Sequence, residues 1–186
     1  FAQAGERQWG RLMQDDANDA VKARVAAGRA ELSRICIVGG GYGGDSAVEA
    51  AATTPGLYRC AAAWSAPSDL VAWLRWERKE DAVGREDHLR SVGDPDADGE
   101  ALAQASPIAH AGDFPVPLLL VHGGQDDVVP VEQSRALAAA LKKAGKEVLL
   151  IEFDDEGHAD FSETHTKAMF TAIADLLGRT IGAPTP

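Results

Sequence analysis

The chain has 186 residues, 45% of them apolar and 25% charged, enough for one domain with a real core. Its net charge of -11 disfavours nucleic acid and anionic membrane surfaces as partners, since both attract basic patches. No apolar stretch reaches the roughly 20 residues needed to span a bilayer.

Residues 15–27, DDANDAVKARVAA, place Ala17, Ala20, Val21 and Val25 on one helical face, with Gly28 as the stop. ICIV (35–38) reads as a short buried strand. DSAVEAAATT follows it as a helix ended by Pro55 and Gly56. RCAAAW (59–64) is a second strand. Residues 70–112 are mixed, with a helix around Trp73 and Trp76 and a polar loop at 93–100. PLLLV (117–121) is a third strand, and VEQSRALAAALKKAG (131–145) an amphipathic helix capped by Gly145. EVLLIEF (147–153) is a fourth strand. Ser162 caps a last helix that carries Met169, Phe170, Ile173 and Leu177 on one face and ends at Gly178. Strands alternating with helices predict a parallel α/β sheet. Cys36 and Cys60 each lie in an apolar strand, which predicts two buried free thiols and a reducing, cytoplasmic compartment.

The stretch ICIVGGGYGGDSAV (35–48) carries the chemistry. Gly39, Gly41 and Gly44 match G-x-G-x-x-G, whose glycines bring backbone close to a pyrophosphate at a helix N-terminus. A flavin- or nicotinamide-binding oxidoreductase would then need a carboxylate at the end of the next strand. The nearest acid after Trp64 is Asp69, a loose fit. The same residues also match a strand-to-helix nucleophile elbow, G-x-S-x-G over 39–43, with Gly41 in the serine position. An elbow requires an acid and then a histidine, each after a later strand. PLLLVHGGQDDVVP supplies Asp126 and Asp127, and LLIEFDDEGH supplies His158.

These three motifs in this order resemble the C-terminal catalytic domain of the prolyl oligopeptidase family of serine peptidases. RICIVGGGYGG is similar to that family's elbow, HGGQDDVVPVEQS to its acid loop and DEGH to its histidine segment. WGRLMQDDANDAV, VGDPD and ASPI resemble its connecting segments, so the likeness covers nearly the whole chain. The resemblance implies an α/β-hydrolase fold, a mostly parallel sheet flanked by helices, with residues 1–186 as the C-terminal portion of one catalytic domain. It implies Asp126 as triad acid, His158 as base and the Tyr42 backbone N–H as an oxyanion donor. Peptides or small acyl compounds would be substrates, with no cofactor and no metal. Earlier strands of the domain would precede this chain, so strand 35–38 is expected to pair with a second chain or an upstream segment.

The departures from that family are equally specific. Gly41 has no side chain and cannot attack a carbonyl. Asp45 and Glu49 stand on the following helix where the family has apolar or aromatic residues. The implied function is a serine hydrolase by descent that Gly41 leaves inactive, or a non-catalytic binding module.

The remaining polar residues have plainer readings. Asp127 is a solvated neighbour of Asp126, and His122 shapes the acid loop. His88 and His110 receive no role. His158, Asp160, Glu163 and His165 lie close in sequence but lack metal-ligand spacing. Ser46 sits on the helix beyond the elbow apex, and Ser65 ends the second strand; both are weak substitutes for a nucleophile. Trp64, Trp73 and Trp76 read as core or pocket wall.

Overall fold

The four apolar runs form four parallel strands: β1 Cys36–Gly40, β2 Cys60–Trp64, β3 Leu118–Gly123 and β4 Val148–Phe153. Their order across the sheet is β1-β2-β3-β4. The computed structural model describes residues 2–80, 84–159 and 161–182. Helices α1 Leu12–Ala26 and α2 Tyr42–Thr53 flank β1 in sequence. Helices α3 Leu70–Glu80, α4 Arg85–Ser91 and α5 Gly99–Gln104 link β2 to β3. Helix α6 Glu132–Lys143 links β3 to β4, and α7 Glu163–Ile181 follows.

Every crossover advances one strand in the same direction, so right-handed connections put α2 and α6 on one face of the sheet. The side-chain period of two then splits the core. Ala61, Ala63, Leu118 and Leu120 pack with Val48, Ala51, Leu137 and Leu141 of those helices. Cys60, Ala62, Leu119 and Val121 pack on the other face with Met169, Ile173 and Leu176 of α7. The alanines of β2 let helices approach closely on both faces. Strand β1 is one edge of the sheet, and Val38 is 41% exposed there.

Several expectations need correction. The inner face of α1 is built from Gln14 and Asn18 beside Ala17, Val21 and Val25, while Ala20 is exposed. Polar residues are tolerated there because Asn18 donates to Thr54 Oγ1 at 2.8 Å and accepts from the Tyr58 hydroxyl at 2.9 Å. Helix α7 runs through Gly178 to Ile181, where Arg34 Nε caps the Ile181 carbonyl at 2.9 Å. Phe170 is exposed, and Leu176 takes the place expected for it in the core. Helix α5 begins inside the segment expected to be a polar loop.

The two cysteines are not free. Cys36 and Cys60 are register partners on adjacent strands, with Cα atoms 4.7 Å apart, and form a disulfide. Each run looked self-sufficiently apolar in sequence; parallel pairing in this register is what brings the sulfurs together. Thiol titration of the unreduced, denatured protein is expected to find no free thiol. Reduction should remove about 3 kcal/mol of stability, the loop-closure value for a bond spanning 24 residues. Two reactive thiols in the unreduced chain would refute the bond.

Helix α2 buries two carboxyl groups four residues apart, Asp45 at 1% and Glu49 at 3% exposure. Asp45 Oδ1 and Glu49 Oε2 have no hydrogen-bond partner among the described residues, and Glu49 Oε1 lies 3.5 Å from His110 Nε2. Burial, with Glu49 nearby, raises the Asp45 pKa well above the usual range, and burial pushes Glu49 up to about 8. The unfolded chain releases the Glu49 proton near 4.5 while the folded chain keeps it. Stability therefore falls as pH rises from that value to about 8, where the loss is complete. Glu49→Gln should flatten this slope and raise stability at pH 8 by about 1–3 kcal/mol, the desolvation penalty of an unsatisfied buried group. Thermal melts across this pH range would show it.

Candidate active site

Strand β1 ends in glycines because the turn into α2 leaves no room for side chains. A Cβ on Gly39 would lie 2.1 Å from the Gly43 carbonyl oxygen, and one on Gly40 2.2 Å from the Trp64 ring. Gly41 forms the apex at φ 54 and ψ -125, a conformation that strains any residue with a Cβ. Its N–H bonds the Trp64 carbonyl at 3.0 Å, tying the apex to the end of β2. Tyr42 follows as the first residue of α2, where backbone N–H groups have no intrahelical partner.

The acid and histidine loops leave β3 and β4 side by side. Gly124 N–H donates to Phe153 O, and Gln125 N–H to Glu156 O, both at 2.8 Å. A Cβ on Gly123 would meet the Glu156 and Gly157 carbonyl oxygens at 2.3 Å, so the HG pair is required by the close crossing of the two loops. Asp126 turns inward, and its Oδ1 accepts the Val128 and Val129 N–H groups at 3.0 and 2.8 Å. Asp127, beside it, is exposed.

These loops bring three of the predicted residues together. His158 Nδ1 lies 2.9 Å from Asp126 Oδ2. On its other side, His158 Nε2 lies 3.6 Å from where a Cβ on Gly41 would sit. The acid side chain is fully buried and the imidazole partly open. Burial works to raise the Asp126 pKa, but hydrogen bonds from His122, His158, Val129 and Val128 outweigh it and hold the carboxyl well below the usual range. The arrangement keeps a charged carboxylate behind an imidazole whose second nitrogen faces the elbow.

Ser46 is engaged away from the elbow, and Ser65 is buried with no hydrogen-bond partner for its hydroxyl among the described residues. Ser46 Oγ donates to Gln14 Oε1 at 2.9 Å, between α2 and α1. Ser65 is 1% exposed just beyond β2. Among the described residues of the histidine-rich segment, His158 and His165 face different partners, and His165 groups with Asp155 and Glu156 instead. His165 pairs with Glu156 at 2.5 Å and stacks on Phe153, while His158 faces Asp126; Asp160 lies outside the described residues. Asp69, the acid nearest the place for a ribose contact, accepts the Ala72 N–H at 2.9 Å and caps α3.

One part of the site was not visible in sequence. The Tyr42 ring packs on Trp9 with centroids 4.6 Å apart, and Trp9 on Trp73 at 5.8 Å. The Trp73 indole N–H then donates to the Val128 carbonyl at 2.9 Å. This aromatic ladder joins the elbow to the acid loop. In sequence Trp9 stands only in a connecting segment and Trp73 reads only as core or pocket wall.

Comparison with known proteins agrees with this geometry. Residues 1–183 match the model of the prolyl oligopeptidase family. The chain belongs to that family. It is 29% identical over 185 residues to dipeptidyl peptidase family member 6 of Caenorhabditis elegans, covering 98% of this chain and 25% of that protein. It is 29% identical over 184 residues to dipeptidyl aminopeptidase BIII of Pseudoxanthomonas mexicana, covering 98% and 27%. A puromycin-hydrolyzing peptidase of Mycobacterium tuberculosis superposes with a TM-score of 0.86 at 28% identity, over 97% of this chain and 27% of that one. The chain thus spans about a quarter of the length of these relatives. The fold is that of α/β-hydrolase peptidases, and membership of a serine-peptidase family replaces the oxidoreductase alternative.

The Asp126 charge gives this site an acid-side signature. Its folded pKa lies below the ordinary value of 3.8, so its contribution to stability is present above that value and is lost as pH falls. Asp126→Ala should cost roughly 3 kcal/mol or more at pH 7, as removing one partner of a buried pair does. At pH 3 the gap between variant and parent should narrow in urea or thermal unfolding. An equal gap at both pH values would show that the carboxylate is not held in this way.

Proposed function

We propose that this chain carries the acid–base pair of a serine peptidase beside an elbow that lacks its nucleophile. It binds peptide or small acyl ligands there without forming an acyl-enzyme. The observation that carries the reading is the position of His158 Nε2, 3.6 Å from the place of a Gly41 Cβ, with Asp126 behind the ring at 2.9 Å. A serine at position 41 would present its hydroxyl to that nitrogen. Its oxygen would attack the acyl carbon, His158 would take the proton, and Asp126 would hold the imidazolium. The Tyr42 N–H, at the head of α2, is suited to receive the oxyanion. With Gly41 no such bond can form, and the remaining groups can only bind and polarise a ligand.

Restoring the hydroxyl tests this. Gly41→Ser is expected to react with a fluorophosphonate probe at residue 41, and a further His158→Ala change to abolish the labelling. The parent should stay unlabelled, which also examines Ser46 and Ser65. Labelling of the parent would show that the nucleophile lies elsewhere. A well-folded Gly41→Ser protein that resists the probe would remove the triad assignment.

A further inference from the structure

The two oxygens of Asp126 are held differently. Oδ1 receives two backbone N–H groups, from Val128 and Val129, and also lies 3.0 Å from His158 Nδ1. Oδ2 has no backbone donor among the described residues. Its closest neighbours there are two imidazoles: His158 through Nδ1 at 2.9 Å and His122 through Nε2 at 3.2 Å. His122 lies on β3 and its side chain is fully buried. Its Nε2 is also 2.8 Å from the Val129 carbonyl, and its Nδ1 is 2.7 Å from Ser134 Oγ on α6. A bare Nε2 would set a lone pair against two acceptor oxygens. The proton must therefore sit on Nε2, and in the neutral ring the Ser134 hydroxyl donates to Nδ1.

We infer that His122 is a positioning residue for the acid–base pair: its Nε2–H, kept in place by Ser134 and shared between the Val129 carbonyl and Asp126 Oδ2, fixes the carboxylate that receives His158. This rests on Asp126 and His158 being the acid and base proposed above. Ser134 and Val129 alone would satisfy both ring nitrogens, so a purely structural histidine needs no third partner. The shared contact to Oδ2 is the additional feature. Without it Oδ2 keeps only His158, the carboxylate plane is fixed through Oδ1 alone, and the bond that Oδ2 and Oδ1 share with His158 Nδ1 is less firmly placed.

Two measurements test the inference. Histidine-selective 15N NMR of the full chain should show His122 protonated at Nε2, and a ring protonated at Nδ1 alone would overturn it. In the Gly41→Ser protein, His122→Phe should slow fluorophosphonate labelling by roughly tenfold or more per folded molecule, the scale of a misplaced catalytic group. His122→Gln, which keeps an N–H donor at the same reach, should recover part of the rate. An unchanged rate in a folded His122→Phe protein would reduce His122 to a packing residue. If that variant does not fold, Ser134→Ala decides: the inference requires the His158 ring signals to move with those of His122, and unmoved His158 signals refute it. Absence of labelling in Gly41→Ser itself would count against the proposed function, while the NMR of the parent still decides the placement of His122.

Discussion

A carboxylate with no water contact must be surrounded by donors, and the site is arranged around that requirement. The Asp126 charge lies inside the protein, and a buried charge left unpaired is costly enough to unfold a domain of marginal stability. Its donors come from three places: the backbone of its own loop, the end of β3 and the loop after β4. Meeting that demand fixes how β3 and β4 end. It explains the glycines at 123 and 124, where the two loops cross without room for side chains. The position of His158 follows from the same constraint.

The elbow shows the opposite economy. Gly39 and Gly40 are glycine for want of space, and Gly41 suits a backbone that strains other residues. A serine peptidase tolerates strain at this apex for the sake of an exposed hydroxyl. With glycine at position 41 that strain is absent, and the apex carries no side chain. Yet α2, just beyond, buries Asp45 and Glu49 with oxygens unpartnered among the described residues. Stability gained at the turn is thus offset one helical turn later, an arrangement that packing alone would not favour.

Much of this was legible from the residues, and what was not has physical causes. Strand and helix periods placed all four strands and the principal helices to within a few residues, since burial on both faces leaves long apolar runs. Asp126, His158 and Gly41 could be singled out because an elbow, an acid and a histidine are each expected after a strand in chain order, and the fold brings the three close together. Pairings across space were harder. The disulfide depends on register, which neither cysteine's own neighbours reveal. The buried face of α1 misled because Asn18 is satisfied by Thr54 and Tyr58, far away in sequence. Trp9 and Trp73 gave no hint that they join the elbow to the acid loop, because stacking leaves no periodic trace.

That aromatic ladder gives the protein a built-in optical reporter. The Trp64 ring lies against Gly40, Trp9 packs on Tyr42, and Trp73 packs on Trp9 while bonded to the acid loop. Three of the four tryptophans therefore border the elbow or its supports. Indole emission depends on local polarity and on nearby quenchers, so any ligand that settles beside Tyr42 alters the environment of this group. Occupancy of the site can therefore be read from intrinsic fluorescence, with no product to follow.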